Sequence, residues 1–447
     1  MSDSYLSFVN SPWGAWLART AGLPQPLALQ RHRSGQQGLA NPVIVAGAGR
    51  LGAEIQRIFT ATDTVTATAA TLKAPSTVKV QGAVFDASDI ADLKQLDELY
   101  EFFHINGKRL GQHARVVVLG TAPELCKDLP QAIAQRALEG LVRSLAKELR
   151  RAITVQLIYV APGAEGALES SLRFFLSRRS AYVSGQVVRL ENPVDTQAEI
   201  NWDKPLSGRR ALVTGASRGI GLAIAQVLAR DGAKVVCVDV PQAQDSLQQA
   251  ASSVGGTALA LDITATDAAQ QLQAHISQHG AFDVVVHNAG ITRDKTIAKM
   301  TEAAWRSVLA VNLEAPLHLS TALLENQGLK PGGRIVCVSS ISGIAGNLGQ
   351  SNYATSKAGV IGLVQGLAPQ AAAQQVTVNA VAPGFIETQM TAKIPLMIRE
   401  AGRRMNSMSQ GGQPVDVAET IAWLAHPASG GVNGQVVRVC GQSLLGA

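Results

Sequence analysis

A chain of 447 residues is longer than one ordinary domain and points to two or three. Hydrophobic residues at 46%, charged residues at 16% and 42 glycines exclude a disordered chain and describe a globular, core-rich protein with many tight turns. The net charge of +6 is evenly spread, with 21 Lys+Arg against 18 Asp+Glu in residues 1–200 and 18 against 15 in residues 201–447, and no basic block interrupts it; nucleic-acid binding is not expected.

The N-terminus has neither a basic n-region nor a long apolar h-region, and no apolar run reaches the roughly 18 residues of a membrane span, so a cytoplasmic protein with no membrane partner is expected. Cys126, Cys237, Cys337 and Cys440 form no C-x-x-C pair, and neither disulfides nor a metal site is expected.

Residues 1–40 read as an arm, opening on a short amphipathic stretch with Trp13, Trp16 and Leu17. From residue 41 to 190 the pattern alternates strand and helix. Val43–Ala46 leads into the turn Gly47-Ala-Gly-Arg-Leu-Gly52, and strands are expected at Thr64–Ala69, Ala83–Asp86, Arg115–Leu119, Thr154–Val160 and Gln186–Leu190. Helices are expected at Ile90–Phe103 and Gln131–Arg150. Alternation of this kind predicts a parallel sheet covered on both faces. Residues 191–208, with two prolines and several charges, read as a linker.

Residues 209–447 repeat the pattern at greater length. Strands are expected at Ala211–Thr214, Lys234–Asp239, Ala258–Leu261, Phe282–His287, Arg334–Ser339, Thr377–Val381 and Gln435–Val439. Three matches in the same order tie the halves together: Gly185-Gln-Val-Val-Arg-Leu190 with Gly434-Gln-Val-Val-Arg-Val439, Val160-Ala-Pro-Gly163 with Val381-Ala-Pro-Gly384, and Gly140-Leu-Val142 with Gly362-Leu-Val364. The fold class expected is therefore two doubly wound, Rossmann-like parallel-sheet domains. The first is a shortened, degenerate and flavodoxin-like copy that lacks about one strand and helix after its second strand.

The chemistry concentrates in the second copy. Tyr353 and Lys357 stand four apart in an Ala/Gly/Leu-rich helical segment, so they share one face about a turn apart. An ammonium beside a phenol favours the phenolate, which is expected to bring the Tyr353 pKa down from about 10 toward neutrality. Ser340 follows the apolar strand and can offer a hydroxyl at its C-terminal end. Thr214-Gly-Ala-Ser-Arg-Gly-Ile-Gly221 sits between a strand and a helix, where Gly215, Ser217, Arg218, Gly219, Ile220 and Gly221 would approach a dinucleotide pyrophosphate. Asp239 ends the next strand and can accept from the ribose hydroxyls. A carboxylate about 4 Å from a 2'-phosphate costs on the order of 4 kcal/mol at an effective dielectric of 20, so NAD(H) is expected over NADP(H), with Arg218 offsetting part of the repulsion.

Taken together, the glycine-rich turn, Ser340, Tyr353-x-x-x-Lys357, His287-Asn-Ala-Gly290 and Val311-Asn-Leu313 resemble the short-chain dehydrogenase/reductase family over residues 209–442. The resemblance implies that Asn312 completes a catalytic set with Ser340, Tyr353 and Lys357. It implies further cofactor contacts at Asp262, Ile263, Asn288, Ala289, Gly290, Pro383, Gly384, Ile386 and Thr388, besides Tyr353 and Lys357 themselves. Gly346-Asn-Leu-Gly-Gln350, Asn352-Tyr-Ala-Thr-Ser-Lys-Ala-Gly359 and Asn379-Ala-Val-Ala-Pro-Gly-Phe-Ile-Glu-Thr388 look most like the 3-oxoacyl-(acyl carrier protein) reductases, and the extra first copy resembles their two-domain form. The implied partner is a 3-oxoacyl thioester on coenzyme A or acyl carrier protein, and the implied assembly is a homo-oligomer, dimer or tetramer. The segment after Glu387 corresponds to a substrate lid; Arg399 and Arg403, one helical turn apart, are expected to give it a basic face for substrate phosphates, with Ser340 and Tyr353 at the carbonyl.

The repeat allows the first copy to be tested for the same chemistry. The Gly-Leu-Val match sets an offset of 222, which places Gln131 where the second copy has Tyr353 and Gln135 where it has Lys357. Neither amide transfers a proton, and a structural or interaction role is expected for this half. Two other functions fit the same motifs: reduction or oxidation of another carbonyl or alcohol of steroid or polyketide type, and non-catalytic NADH binding by a scaffold.

Overall fold

The computed structural model describes residues 3–23, 25–33, 35, 38–68, 79–195, 200–392 and 395–444. The chain divides into two compact units, one made of Met1–Asn192, Ile394–Gly412 and Cys440–Leu444, the other of Pro193–Lys393, Gln413–Val439 and Leu445–Ala447. The division does not follow the halves of the sequence, because the first unit takes in two later segments.

The first unit runs α1 (Ser4–Val9), α2 (Pro12–Thr20), β1 (Val43–Ala46), α3 (Gly52–Ala61), β2 (Thr66–Thr68), β3 (Val80–Asp86), α4 (Leu96–Asn106), β4 (Leu110–Gly120), α5 (Leu129–Glu148), β5 (Thr154–Val160), α6 (Leu168–Phe175) and β6 (Gln186–Leu190). Among the described residues its strands form one parallel sheet in the order β2-β1-β3-β4-β5-β6. Ala69, the end of the strand expected at Thr64–Ala69, lies outside the described residues. The helix expected at Ile90–Phe103 begins only at Leu96, because the Asp92 carboxylate accepts from the backbone of Lys94 and Gln95 and holds the preceding residues in a turn.

The second unit runs β7 (Arg210–Thr214), α7 (Gly219–Arg230), β8 (Lys234–Asp239), α8 (Gln244–Ser253), β9 (Thr257–Ala260), α9 (Ala268–His279), β10 (Phe282–His287), α10 (Glu302–Leu309), α11 (Ala315–Glu325), β11 (Leu329–Val338), α12 (Ile341–Ala345), α13 (Ser351–Ala372), β12 (Thr377–Pro383) and α14 (Gln389–Ala392). After α15 (Leu396–Arg404), which packs in the first unit, it resumes with α16 (Pro414–Leu424) and β13 (Val436–Val439). Its parallel sheet has the order β13-β12-β11-β10-β7-β8-β9. Among the described residues the two strand orders match if β9 is removed, the strand expected from the sequence to be missing from the first copy; the stretch between β2 and β3 lies largely outside the described residues. Strand residues such as Leu212, Val285, Ile335 and Val378 are buried against Leu319, Leu323, Val360 and Val364 from the helices. Each such side chain contributes about 1.5–3 kcal/mol of burial.

The sequence sets the helix ends locally. Thr301 caps α10 by accepting from Ala304 N at 3.2 Å, and α16 starts on Pro414 behind a capping box in which Asp416 accepts from Gln413 N at 2.7 Å. Between α10 and α11 the backbone widens into a π-turn, Ala310–Glu314, which carries Asn312. By length and composition the continuous stretch Glu302–Glu325 is long and apolar enough to cross a membrane, yet it packs in this unit with its Asn312 and Ser320 buried.

Within the first unit, the later segments are bonded rather than draped. Arg404 donates to both Asp3 carboxylate oxygens at 2.6 and 2.7 Å and lies over the Tyr5 ring. Gln410 donates to Leu27 O at 2.7 Å, Tyr182 Oη donates to Gln410 O at 3.0 Å, and Gln442 donates to Arg143 O at 2.7 Å.

Candidate active site

The cluster of candidate residues lies at the carboxyl edge of the second sheet, where strand order reverses between β7 and β10. The turn after β7 is held from beneath by Asn288, whose amide donates to Thr214 O at 2.9 Å and Gly215 O at 3.1 Å. Thr214 Oγ1 in turn accepts from the backbone of Asn288 and Ala289. A Cβ on Gly221 would stand 2.0 Å from Gly215 O, so this glycine is required by packing. Gly219 differs: it opens α7 with φ 60°, and a Cβ there would meet nothing within 4 Å. The turn is closed toward the sheet and open in front of the helix N-terminus, which fits a dinucleotide pyrophosphate. Asp239 ends β8 with its carboxylate accepting from Ser217 N at 3.1 Å and Val240 N at 2.9 Å, which fixes it beside that opening; Arg218 is exposed. Asp262 follows β9 and accepts from both the backbone and the hydroxyl of Thr264, with Ile263 buried behind it. Beyond β12, Gly384 N donates to Val439 O, and the loop through Ile386 and Thr388 is closed by Thr391, which bonds the backbone of both. Pro383 is the last residue of β12.

Ser340 caps α12 at the end of β11, accepting from Ser342 N at 3.1 Å, and its hydroxyl stands near enough to the Tyr353 phenol to act on its pKa. Gly343 lets α12 lie directly on α13, since a Cβ there would come within 2.6 Å of the Lys357 carbonyl carbon. Lys357 is buried and donates from Nζ to Val338 O at 2.8 Å. Gly290 borders both partners: a Cβ on it would stand 3.4 Å from Lys357 Nζ and 3.3 Å from Asn312 Oδ1. Ser340, Tyr353, Lys357 and Asn312 are thus brought to one place from three elements, the α12 cap, α13 and the π-turn.

Two expectations from the sequence need correction here. Burial raises the Tyr353 pKa above the ordinary phenol value; the Ser340 hydroxyl lowers it in part, and Asp294 adds to the rise. Lys357 does not bring it down, because its ammonium lies 5.7 Å from the ring centroid and is spent on Val338 O. Burial moves Lys357 itself from 10.5 to about 8. The second correction concerns α15. Arg403 is buried in an ion pair with Glu400, Arg404 is taken by Asp3 and Glu400, and Arg399 is half-buried. The exposed side chains of that helix are Leu396, Met397 and Ile398, so its open face is apolar rather than basic.

The Asn312 amide is engaged with protein: Oδ1 accepts from Ile291 N at 2.8 Å, and Nδ2 donates to Ile291 O and Ser356 Oγ at 3.0 Å each. Residues with no expected role prove to fix the site. Ser339 Oγ donates to Lys357 O at 2.7 Å, and Asn352 donates to Arg293 O and Ala304 O while accepting from Tyr353 N. The sequence signal for these is slight, since small polar residues in an Ala/Gly-rich helix are compatible with any exposed face. His287 is buried with Nε2 on Ser320 Oγ at 2.9 Å, and burial lowers its pKa to about 4, so it is a neutral packing residue. Among the described residues no group of three or more His, Cys, Asp or Glu side chains is placed to hold a metal ion.

The corresponding edge of the first unit is filled by its own side chains. The Asp86 carboxylate accepts from Leu51 N at 2.8 Å, at the start of α3, and a Cβ on Gly49 would stand 2.2 Å from Asp86 Oδ1. Arg50 reaches over the strand ends to Val160 O, Thr121 Oγ1 and Glu165. Gln135, fully buried, accepts from Thr121 N and donates to Ala87 O and Ile90 O, stapling the strand ends; Gln131 accepts from Lys127 N at the start of α5.

Residues 215–441 match the family model described as enoyl-(acyl carrier protein) reductase. The 3-oxoacyl-(acyl-carrier-protein) reductase of Vibrio cholerae is 41% identical over 237 residues, 53% of this chain and 97% of that protein. The enzymes of the same name from Thermotoga maritima and Pseudomonas aeruginosa are each 40% identical, over 240 and 242 residues, again 53% of this chain and 98% and 97% of their own length. The chain belongs to the short-chain dehydrogenase/reductase family.

Proposed function

We propose that this protein reduces 3-oxoacyl thioesters, carried on coenzyme A or acyl carrier protein, to (3R)-hydroxyacyl thioesters with NADH, acting as a homo-oligomeric enzyme of fatty-acid metabolism. The observation that carries the reading is the gathering of Ser340, Tyr353 and buried Lys357, in a unit that aligns with nearly the full length of 3-oxoacyl-(acyl-carrier-protein) reductases. Gly215, Ser217, Arg218, Gly219, Ile220 and Gly221 would hold the pyrophosphate, Asp239 the adenosine ribose, and Asp262 and Ile263 the adenine. Asn288, Ala289, Gly290, Lys357, Tyr353, Pro383, Gly384, Ile386 and Thr388 would line the nicotinamide half. When bound, the nicotinamide supplies the hydride for the C3 carbonyl carbon.

The chain's own groups do the rest. Ser340 holds the carbonyl oxygen, and the Tyr353 hydroxyl gives it a proton as negative charge develops there. A phenol kept protonated by burial is suited to that role as an acid. Lys357 places a cation beside the ring and bonds the nicotinamide ribose once the cofactor is in place. The decisive assay follows NADH oxidation with acetoacetyl-CoA and longer 3-oxoacyl thioesters. Turnover of a steroid or polyketide-type ketone without turnover of any thioester would overturn the substrate.

Asp239→Ala is expected to narrow the preference for NADH over NADPH, since the carboxylate both bonds the ribose and repels a 2'-phosphate. The measurement is the ratio of kcat/KM for the two cofactors, and a wild type that already prefers NADPH would refute the assignment. Calorimetric titration with NADH should give one site per chain. The space before α3 that a pyrophosphate needs is taken by Asp86, so two equivalent sites would contradict the reading of the first unit as structural.

A further inference from the structure

Ser356 precedes Lys357 in α13 and is fully buried. Its hydroxyl donates to Tyr353 O at 2.8 Å, the common back-bond of a helical serine to the preceding turn. What sets it apart is its acceptor side, which takes Asn312 Nδ2 at 3.0 Å. The direction of this chain is fixed by backbone polarity. Ile291 N can only donate and Ile291 O can only accept, so the Asn312 amide has one possible orientation. Its second amide hydrogen must then go to Ser356 Oγ, and Ser356 must pass its own hydrogen to the Tyr353 carbonyl. The loop after β10, the π-turn and the first turn of α13 are joined by this one directed relay.

We propose that Ser356 is a positioning residue: it registers the Tyr353 turn of α13 on the Asn312 π-turn and so holds the phenol against Ser340. The inference rests on the reading of Tyr353 as proton donor. Ser356→Ala removes a hydroxyl, leaves an amide hydrogen of Asn312 and the Tyr353 carbonyl without this partner, and lets the turn drift. A displacement on the order of 1 Å is enough to lower kcat by about 100-fold. The expected result is a fall in kcat of about 10- to 100-fold, with the Kd for NADH and the KM for the thioester within a few-fold of wild type. Moving the phenol away from Ser340 also weakens the influence that lowers its pKa. Tyr353 should therefore ionise at higher pH in the variant, read by ultraviolet difference titration of the intact chain with Tyr353→Phe as the blank.

A folded Ser356→Ala with kcat within twofold of wild type and unchanged Tyr353 ionisation would overturn the proposal. Should Ser356→Ala fail to fold, Ser356→Cys keeps a weaker donor and acceptor in the same place and is held to the same two readings. A wild-type chain inactive on every carbonyl tried would refute the function while leaving the titration to decide the role of Ser356.

Discussion

Tyr353→Phe is expected to lower turnover by about 10²- to 10⁴-fold while leaving folding and NADH binding close to wild type, because a single hydroxyl is lost and it is the group that protonates the product oxygen. The structure makes the variant clean. The ring remains packed in α13, its backbone stays tied to Asn352 and Ser356, and only the influence of Ser340 on its hydroxyl disappears. Steady-state kinetics with acetoacetyl-CoA, alongside a fluorescence titration with NADH, separate the two effects. Near-normal kcat in a folded variant would sink the mechanism, since it assigns the proton to the Tyr353 hydroxyl alone.

The second large effect is expected at Lys357, where activity and stability should move in opposite directions. Burial pulls its pKa from 10.5 to about 8, so below pH 8 the folded chain carries the cost of a buried ammonium that the unfolded chain does not. That cost is fully present at neutral pH and is relieved as pH rises from about 8 toward 10.5; the shift corresponds to about 3 kcal/mol at pH 7. Lys357→Met keeps the volume and drops the charge, at the loss of one hydrogen bond to Val338 O, about 1 kcal/mol. The variant should be roughly 2 kcal/mol more stable at pH 7, seen as a later denaturation midpoint for the second unit, and nearly inactive. In the wild type, kcat/KM should bend downward above about pH 8 as the ammonium is lost. A Lys357→Met midpoint below that of wild type would show that the ammonium is fully compensated in the fold.

The parts of this architecture that were legible in the sequence are those with a strong period or a rare spacing. Apolar strand runs such as Arg334–Ser339, with glycine turns behind them, announce parallel strands, and the missing strand of the first copy could be counted from the repeat. Tyr353 and Lys357 stand out because a spacing of four has one meaning on a helix. Where a residue's role depends on what comes near it in space, the sequence is silent. Arg399 and Arg403 are a helical turn apart, yet nothing in that spacing says that Glu400 and the distant Asp3 will claim the neighbouring arginines. Lys357 beside Tyr353 suggests charge coupling, but a carbonyl on β11 captures the ammonium. Ser339 and Ser356 carry no periodic signal, and Asn312 owes its position to a π-turn that a 3.6-residue period does not forecast. At Asp92 an Asx turn overrides the helical pattern expected to begin at Ile90.

The patchwork makeup of the first unit bears on how the protein is born. Asp3 pairs with Arg404, 401 positions away, and Arg143 O and Tyr182 O receive hydrogen bonds from Gln442 and Gly441. A ribosome adds about 5–20 residues per second, so tens of seconds separate the appearance of the arm from that of its partners. During that interval the first sheet exists without the segments that complete it, and closing so long a loop must await the end of translation. The order of manufacture and the order of completion are therefore inverted. The half that leaves the ribosome first is the half that is finished last, and a nascent chain interrupted before residue 440 leaves the first unit without its segment Cys440–Leu444.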